Sequence, residues 1–151
     1  MPGDEYRNAL NLAFRYLTSK SRSEKEVRDK LSYKGFSDMI VQSVVDRLKE
    51  LNYLNDKEFT ILWIRNRINF RPRGSNLVRY ELLAKGIAAE MIEEIMLREF
   101  PFDKEIELCR QFTVVKWKQY ARYPHDQAKR KLINFLKRKG FSWECIEEAC
   151  K

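Results

Sequence analysis

Turn-forming residues are scarce in this chain, with five glycines and four prolines among 151 residues. An all-β protein of that length reverses direction many times and needs more of both, so the composition favours helices. Cysteine is limited to Cys109, Cys145 and Cys150, an odd number without a Cys-x-x-Cys pair. That argues against a disulfide scaffold and against a cysteine zinc site. Histidine occurs once, at His125 in the Tyr123-Pro124-His125 segment, which reads as a loop. One histidine supplies neither a metal ligand set nor a nucleophile–base–orienter group. No glycine is followed by lysine, so the Gly-Lys-Ser/Thr phosphate loop is missing, and any effect on nucleotide hydrolysis has to act through a partner. No apolar run approaches the roughly 18 residues that a membrane span needs. The segment Met1-Pro2-Gly3-Asp4-Glu5 is acidic and has no secretory-leader pattern, so a cytoplasmic, reducing location is expected.

What the chain does have is charge and enough apolar side chains to build a core. Hydrophobic residues make up 44% and charged residues 34%, and the formal net charge is +8. The charge is uneven. Residues 110–143 carry ten basic side chains against Asp126 alone, and residues 60–89 carry six against Glu81. Between them lies an acidic belt of Glu90, Glu93, Glu94, Glu99, Asp103, Glu105 and Glu107. Two basic stretches of this kind fit a polyanionic or acidic partner; ordinary charge mixing on a solvated helical surface is the competing reading.

The sequence also repeats itself. Lys34-Gly35-Phe36-Ser37 recurs as Lys85-Gly86-Ile87-Ala88 and as Lys139-Gly140-Phe141-Ser142, with the glycines 51 and then 54 residues apart. Val27, Val78 and Leu132 precede those glycines by eight residues and Leu31, Leu82 and Leu136 by four, while Val41, Ile92 and Ile146 follow by six. A glycine in the left-handed region ends a helix without a Cβ penalty, and a lysine in the last turn suits the carbonyl end of the helix dipole. Ser37 and Ser142 are then N-caps of the next helix, a role Ala88 cannot fill.

A further helix precedes each pair. Tyr6, Leu10, Ala13, Phe14 and Leu17 have helical spacing, as do Phe59, Leu62, Trp63 and Phe70, and Ile106, Cys109 and Phe112. Ser23 with Glu26 and Asn55 with Glu58 read as capping boxes; Ser75 and Asp126 read as N-caps, and Asp103 as a start after Pro101. Val114-Val115 is a β-branched pair outvoted by its helical flanks. The expectation is all-α: nine helices of about 10–18 residues in three tandem three-helix repeats (1–54, 55–102 and 103–151), stacked as an elongated, curved array.

The residues expected to meet a partner fall into groups. Arg65, Arg67, Arg71 and Arg73 lie within nine residues, and the arginine fork suits carboxylate or phosphate. One or two of them are also expected to pair with Glu81 or the acidic belt. Lys116, Lys118, Arg122, Lys129, Arg130 and Lys131 are interleaved with Trp117, Tyr120 and Tyr123, a pattern that suits phosphate contact with base stacking. Trp117 is favoured as a core residue over a stacking surface, whereas Tyr120 and Tyr123 remain candidates for stacking. Lys137 and Arg138 form a weaker patch with Lys139. Cys145 is expected to be semi-buried on the last helix, in a packing role.

These segments resemble the RecX family. Ser23-Glu24-Lys25-Glu26-Val27-Arg28-Asp29-Lys30-Leu31 with Lys34-Gly35-Phe36 is similar to its first repeat. Leu51-Asn52-Tyr53-Leu54-Asn55-Asp56-Lys57-Glu58-Phe59 is similar to the junction that follows. Arg71-Pro72-Arg73-Gly74 with Glu81-Leu82-Leu83-Ala84-Lys85-Gly86-Ile87 is the most specific piece, and Phe135-Leu136-Lys137-Arg138-Lys139-Gly140-Phe141-Ser142 resembles the closing repeat. The resemblance covers essentially the whole chain. It implies a non-enzymatic regulator, without a cofactor, that binds the RecA–single-stranded DNA filament and inhibits RecA's ATPase, filament growth and strand exchange. A monomer with no membrane partner is expected. The alternative is an independent DNA-binding helical protein that competes for single-stranded DNA. Two departures from the family pattern are Ala88, in place of a polar cap, and a longer insertion over residues 120–126, between the first two helices of the third repeat.

Overall fold

The computed structural model describes residues 2–151. Among the described residues there is no strand, and nine helices follow one another: α1 (Pro2–Ser19), α2 (Glu24–Tyr33), α3 (Asp38–Glu50), α4 (Asp56–Asn69), α5 (Ser75–Ala84), α6 (Ala89–Glu99), α7 (Phe102–Gln119), α8 (His125–Arg138) and α9 (Trp143–Ala149). They form three helical trios in tandem, as the repeats imply. At seven residues, α9 is shorter than expected.

The middle helix of each trio ends on the same kind of glycine. Gly35, Gly86 and Gly140 have φ of 92°, 81° and 92°, in the left-handed region. Gly35 N–H donates to the Ser32 carbonyl at 3.0 Å and Phe36 N–H to Leu31 at 3.2 Å; Gly140 and Phe141 repeat this on Lys137 and Leu136 at 2.9 and 3.2 Å. This paired closure satisfies carbonyls that the helix end would otherwise leave open. Ser37 and Ser142 cap α3 and α9 by accepting from Ile40 N–H and Cys145 N–H. The Ser23–Glu26 capping box is formed in both directions. Asn55 Oδ1 accepts from Glu58 N–H at 3.1 Å.

The nine repeat-matched apolar residues, Val27 to Ile146, are all buried. The chain divides into two compact units, one of Met1–Thr60 with Leu83–Ala88, the other of Ile61–Leu82 with Ala89–Lys151. The first has its core in Ala9, Ala13, Val27, Leu31, Val41, Val44, Val45, Leu48 and Leu54. There, Ser23 Oγ donates to the Lys85 carbonyl at 2.7 Å, and Glu24 N–H donates to Asp56 at 2.8 Å. The second unit repeats this arrangement, with donors 51 residues after Ser23 and Glu24 and acceptors 54 and 49 residues after Lys85 and Asp56. Gly74 N–H donates to the Lys139 carbonyl at 2.7 Å, and Ser75 N–H to Glu105 at 2.8 Å. In both units the start of a middle helix rests on a Lys-Gly turn and is capped by a carboxylate from the following first helix.

Several expectations are corrected. Leu62 and Phe70 are exposed, while Ile64 and Thr60 are buried. Apolar residues surround α4, so spacing did not single out its inner face. Asp126 is not an N-cap; Pro124 holds that position, and Asp126 lies in the first turn of α8, where a carboxylate favours the helix dipole. His125 opens the helix rather than sitting in the loop. The link between α7 and α8 is five residues long, as is the one between α4 and α5, so the third repeat's link is no longer than the second's. The extra length went into helix: α7 has 18 residues against 14 in α4, and α8 has 14 against 10 in α5. That adds about one turn to each.

Candidate nucleic-acid interface

The four arginines of the middle repeat do not act as one patch. Arg65 grips Glu99 with both Nε and Nη2 at 3.0 Å. Arg67 makes the same two-pronged contact with Glu81 at 2.9 and 2.7 Å, and its guanidinium lies 5.0 Å from the Trp63 ring centroid. Trp63 Nε1 donates to the same carboxylate at 3.3 Å. The Arg65 guanidinium, first among the influences, holds the Glu99 carboxyl below its ordinary value. Both arginines are thus paired within the chain, Arg65 at an exposed position and Arg67 at a half-buried one. Arg71 is exposed on the link after α4 and forms no ion pair among the described residues. Arg73 is half-buried and donates from Nη1 to the Pro72 carbonyl at 3.2 Å.

The lengthened α7 and α8 divide the third-repeat cations among faces. Tyr120 follows the end of α7, and Tyr123 lies in the link, with ring centroids 6.4 Å apart. Arg122 and Lys131 stand over the Tyr123 ring at 5.0 and 4.5 Å. Tyr120, Lys131, Asn134 and Arg138 line one cleft of about 220 Å³. This brings two aromatic faces and three cations together. Lys116 lies one turn before Tyr120, with its ammonium 4.5 Å from the Phe135 centroid.

The remaining cations lie elsewhere. Lys129 faces a second cleft with Trp117, His125 and Cys150. Lys137 stands 5.2 Å from the Trp143 centroid. Lys118 and Arg130 are exposed. Trp117 is 39% exposed and meets His125 edge-on at 5.5 Å, so its expected place in the core is not observed.

Glu105 was missed by sequence reasoning. It reads as one of the surface carboxylates of the acidic belt, yet it is 3% exposed. Besides Ser75 N–H it accepts from Ser142 N–H at 3.4 Å and Ser142 Oγ at 3.3 Å. Its partners lie 30 and 37 residues away, beyond the reach of any local pattern. Cys109 and Cys145 are both buried, so Cys145 is more enclosed than expected. Its thiol is pushed up by the hydrogen bond to Cys109 and by burial, which leaves it protonated and unreactive. Among the described residues no three His, Cys, Asp or Glu side chains converge on a metal position, and no helix is long and apolar enough to cross a membrane.

Comparison with known proteins follows the same division into three. The first, second and third three-helix domains of RecX match residues 9–48, 55–96 and 103–150. The regulatory protein RecX of Bacillus cytotoxicus is 33% identical over 96% of this chain, and that of Bacillus cereus strain B4264 is 34% identical over the same share. The chain spans only 55% of the length of each. Among solved structures, RecX from Lactobacillus salivarius superposes with a TM-score of 0.90 at 23% identity, covering 98% of this chain and 96% of that one. A second RecX crystal structure gives 0.89, covering 98% and 74%. These two likenesses bear on the fold. With each of its three helical trios matched by the corresponding domain, the chain belongs to the RecX family.

Proposed function

We propose that this chain is a non-enzymatic regulator that docks on the RecA–single-stranded DNA filament and restrains RecA's ATPase, filament growth and strand exchange. The observation that carries the reading is the ordered match to all three RecX domains. Its chemistry is consistent with a polyanionic, protein-coated partner: Arg71 is available on the middle repeat, and the Tyr120–Tyr123 face carries Arg122, Lys131 and Arg138 beside two stacking surfaces. Contact with successive RecA subunits and the bound strand would oppose the motions coupled to ATP turnover. A monomer in the cytoplasm suffices for this role. The test is RecA's DNA-stimulated ATPase with this protein titrated in. A falling rate is expected, and an unchanged rate at saturation would remove the proposal.

The tyrosine–cation grouping also favours a second reading, direct binding to single-stranded DNA with competition as its only effect on RecA. That reading predicts tight binding to naked DNA with a steep salt slope. A salt series without RecA separates the two, because weak naked-DNA binding beside strong filament binding leaves only the first.

A further inference from the structure

Three cations in the second unit, Arg73, Lys116 and Lys139, form no ion pair among the described residues. Lys139 ends α8, and its carbonyl accepts from Gly74 N–H at 2.7 Å, which fixes the chain at Arg73 beside it. The two backbones touch so closely that a Cβ on Gly74 would lie 2.1 Å from Phe141 N. Across from this turn, the Lys116 and Lys139 ammonium groups share the Phe135 ring, at 4.5 and 5.7 Å from its centroid. Lys139 is also 5.5 Å from the Phe112 centroid, and the two phenylalanines meet edge-on at 5.8 Å. All three cations are half-buried rather than freely solvated.

Their polar partners are neutral. Lys116 donates to Gln119 Oε1 at 3.0 Å and Arg73 to a carbonyl. Arg65, Arg67 and Arg79, by contrast, each hold a glutamate. The Lys139 ammonium titrates below its ordinary value because of burial and then because of Arg73 and Lys116. Like charges kept together beside low-dielectric rings cost free energy unless an anion joins them.

We infer that Arg73, Lys116 and Lys139 form a binding site for one phosphate group of a single-stranded nucleic-acid backbone. A guanidinium fork suits phosphate as well as carboxylate, and two ammonium groups beside it offer donors for the further oxygens that a phosphate has and a carboxylate lacks. Tyr120 lies one helical turn beyond Lys116, so a base adjoining the held phosphate has a ring to stack on. The site deepens the filament reading and rests on it for the identity of the polyanion.

The experiment has two arms, and neither contains RecA. In the first, the melting temperature of the full chain is measured in sodium phosphate and in sodium chloride at equal ionic strength. Phosphate should raise it for the parent and for Lys57→Gln, and not for Arg73→Gln/Lys116→Gln. In the second, oligothymidylate affinity is followed against salt. Lys116→Gln should weaken binding about tenfold at low salt and reduce the slope of log K against log salt by about 0.7, the share of one phosphate on a single strand. An equal phosphate effect in the double variant, no effect in the parent, or an unaltered slope would each overturn the site. If both arms succeed while RecA's ATPase is untouched, the site stands and the filament reading falls.

Discussion

Gly86 and Gly35 separate two costs that a helix-ending glycine carries. Both have positive φ, but a Cβ at Gly35 would meet open space, whereas at Gly86 it would lie 2.5 Å from the Lys25 Cβ. Gly35→Ala should therefore lose about 1 kcal/mol, the cost of a left-handed side-chain residue. Gly86→Val should lose at least about 3 kcal/mol, since overlap and β-branching add to it. Urea unfolding midpoints check both, and equal losses would contradict the close approach. At Glu26, burial pushes the carboxyl up, and Ser23 N–H with Lys85 and Arg22 outweighs it, so the group titrates below its ordinary 4.5. A depressed carboxylate stabilises the fold fully above that value and loses this contribution as pH falls below it. Asp56, raised above 3.8 chiefly by burial, contributes the opposite slope. Unfolding free energy measured from pH 6 down to 3 should thus fall less steeply in Glu26→Gln than in the parent.

Helix ends in this chain differ in one respect that can be reversed. Ser37 and Ser142 cap α3 and α9, while Ala88 precedes α6 with no hydroxyl to offer. Ala88→Ser should stabilise by about 1 kcal/mol, read as a higher unfolding midpoint. Ser142→Ala should cost more than an ordinary cap, because its hydroxyl also donates to the buried Glu105. The ends of these helices were legible in the sequence because caps and glycines act over three or four residues, and the repeat registered them three times. The inner face of α4 was not, because Phe59, Ile61, Leu62, Trp63, Ile64 and Ile68 leave no polar side. Glu105 was misread for a related reason, since its partners lie 30 and 37 residues away. In the same way, the basic residues themselves were visible. Which of them were already committed was decided by Glu81 and Glu99, 14 and 34 residues from their arginines.

For the molecule as a whole, this sorting changes which cations can serve a partner. Replacing Arg65, Arg67, Arg71 and Arg73 together would mix a binding effect with damage to the fold. Arg67→Ala alone strands the half-buried Glu81 and should cost about 2–3 kcal/mol of stability, seen as a lower unfolding midpoint. Arg71→Ala should leave stability within about 0.5 kcal/mol, as an exposed substitution does. The proposed regulation of RecA then rests on docking through the cations that the chain's own carboxylates have not claimed. The most direct measurement is RecA's ATPase on single-stranded DNA at saturating amounts of the parent and of a Tyr120→Ala/Lys131→Gln/Arg138→Gln variant. Strong inhibition by the parent and little by a variant with unchanged helix content is the predicted result. No inhibition by the parent, or equal inhibition by both, would contradict docking through these residues.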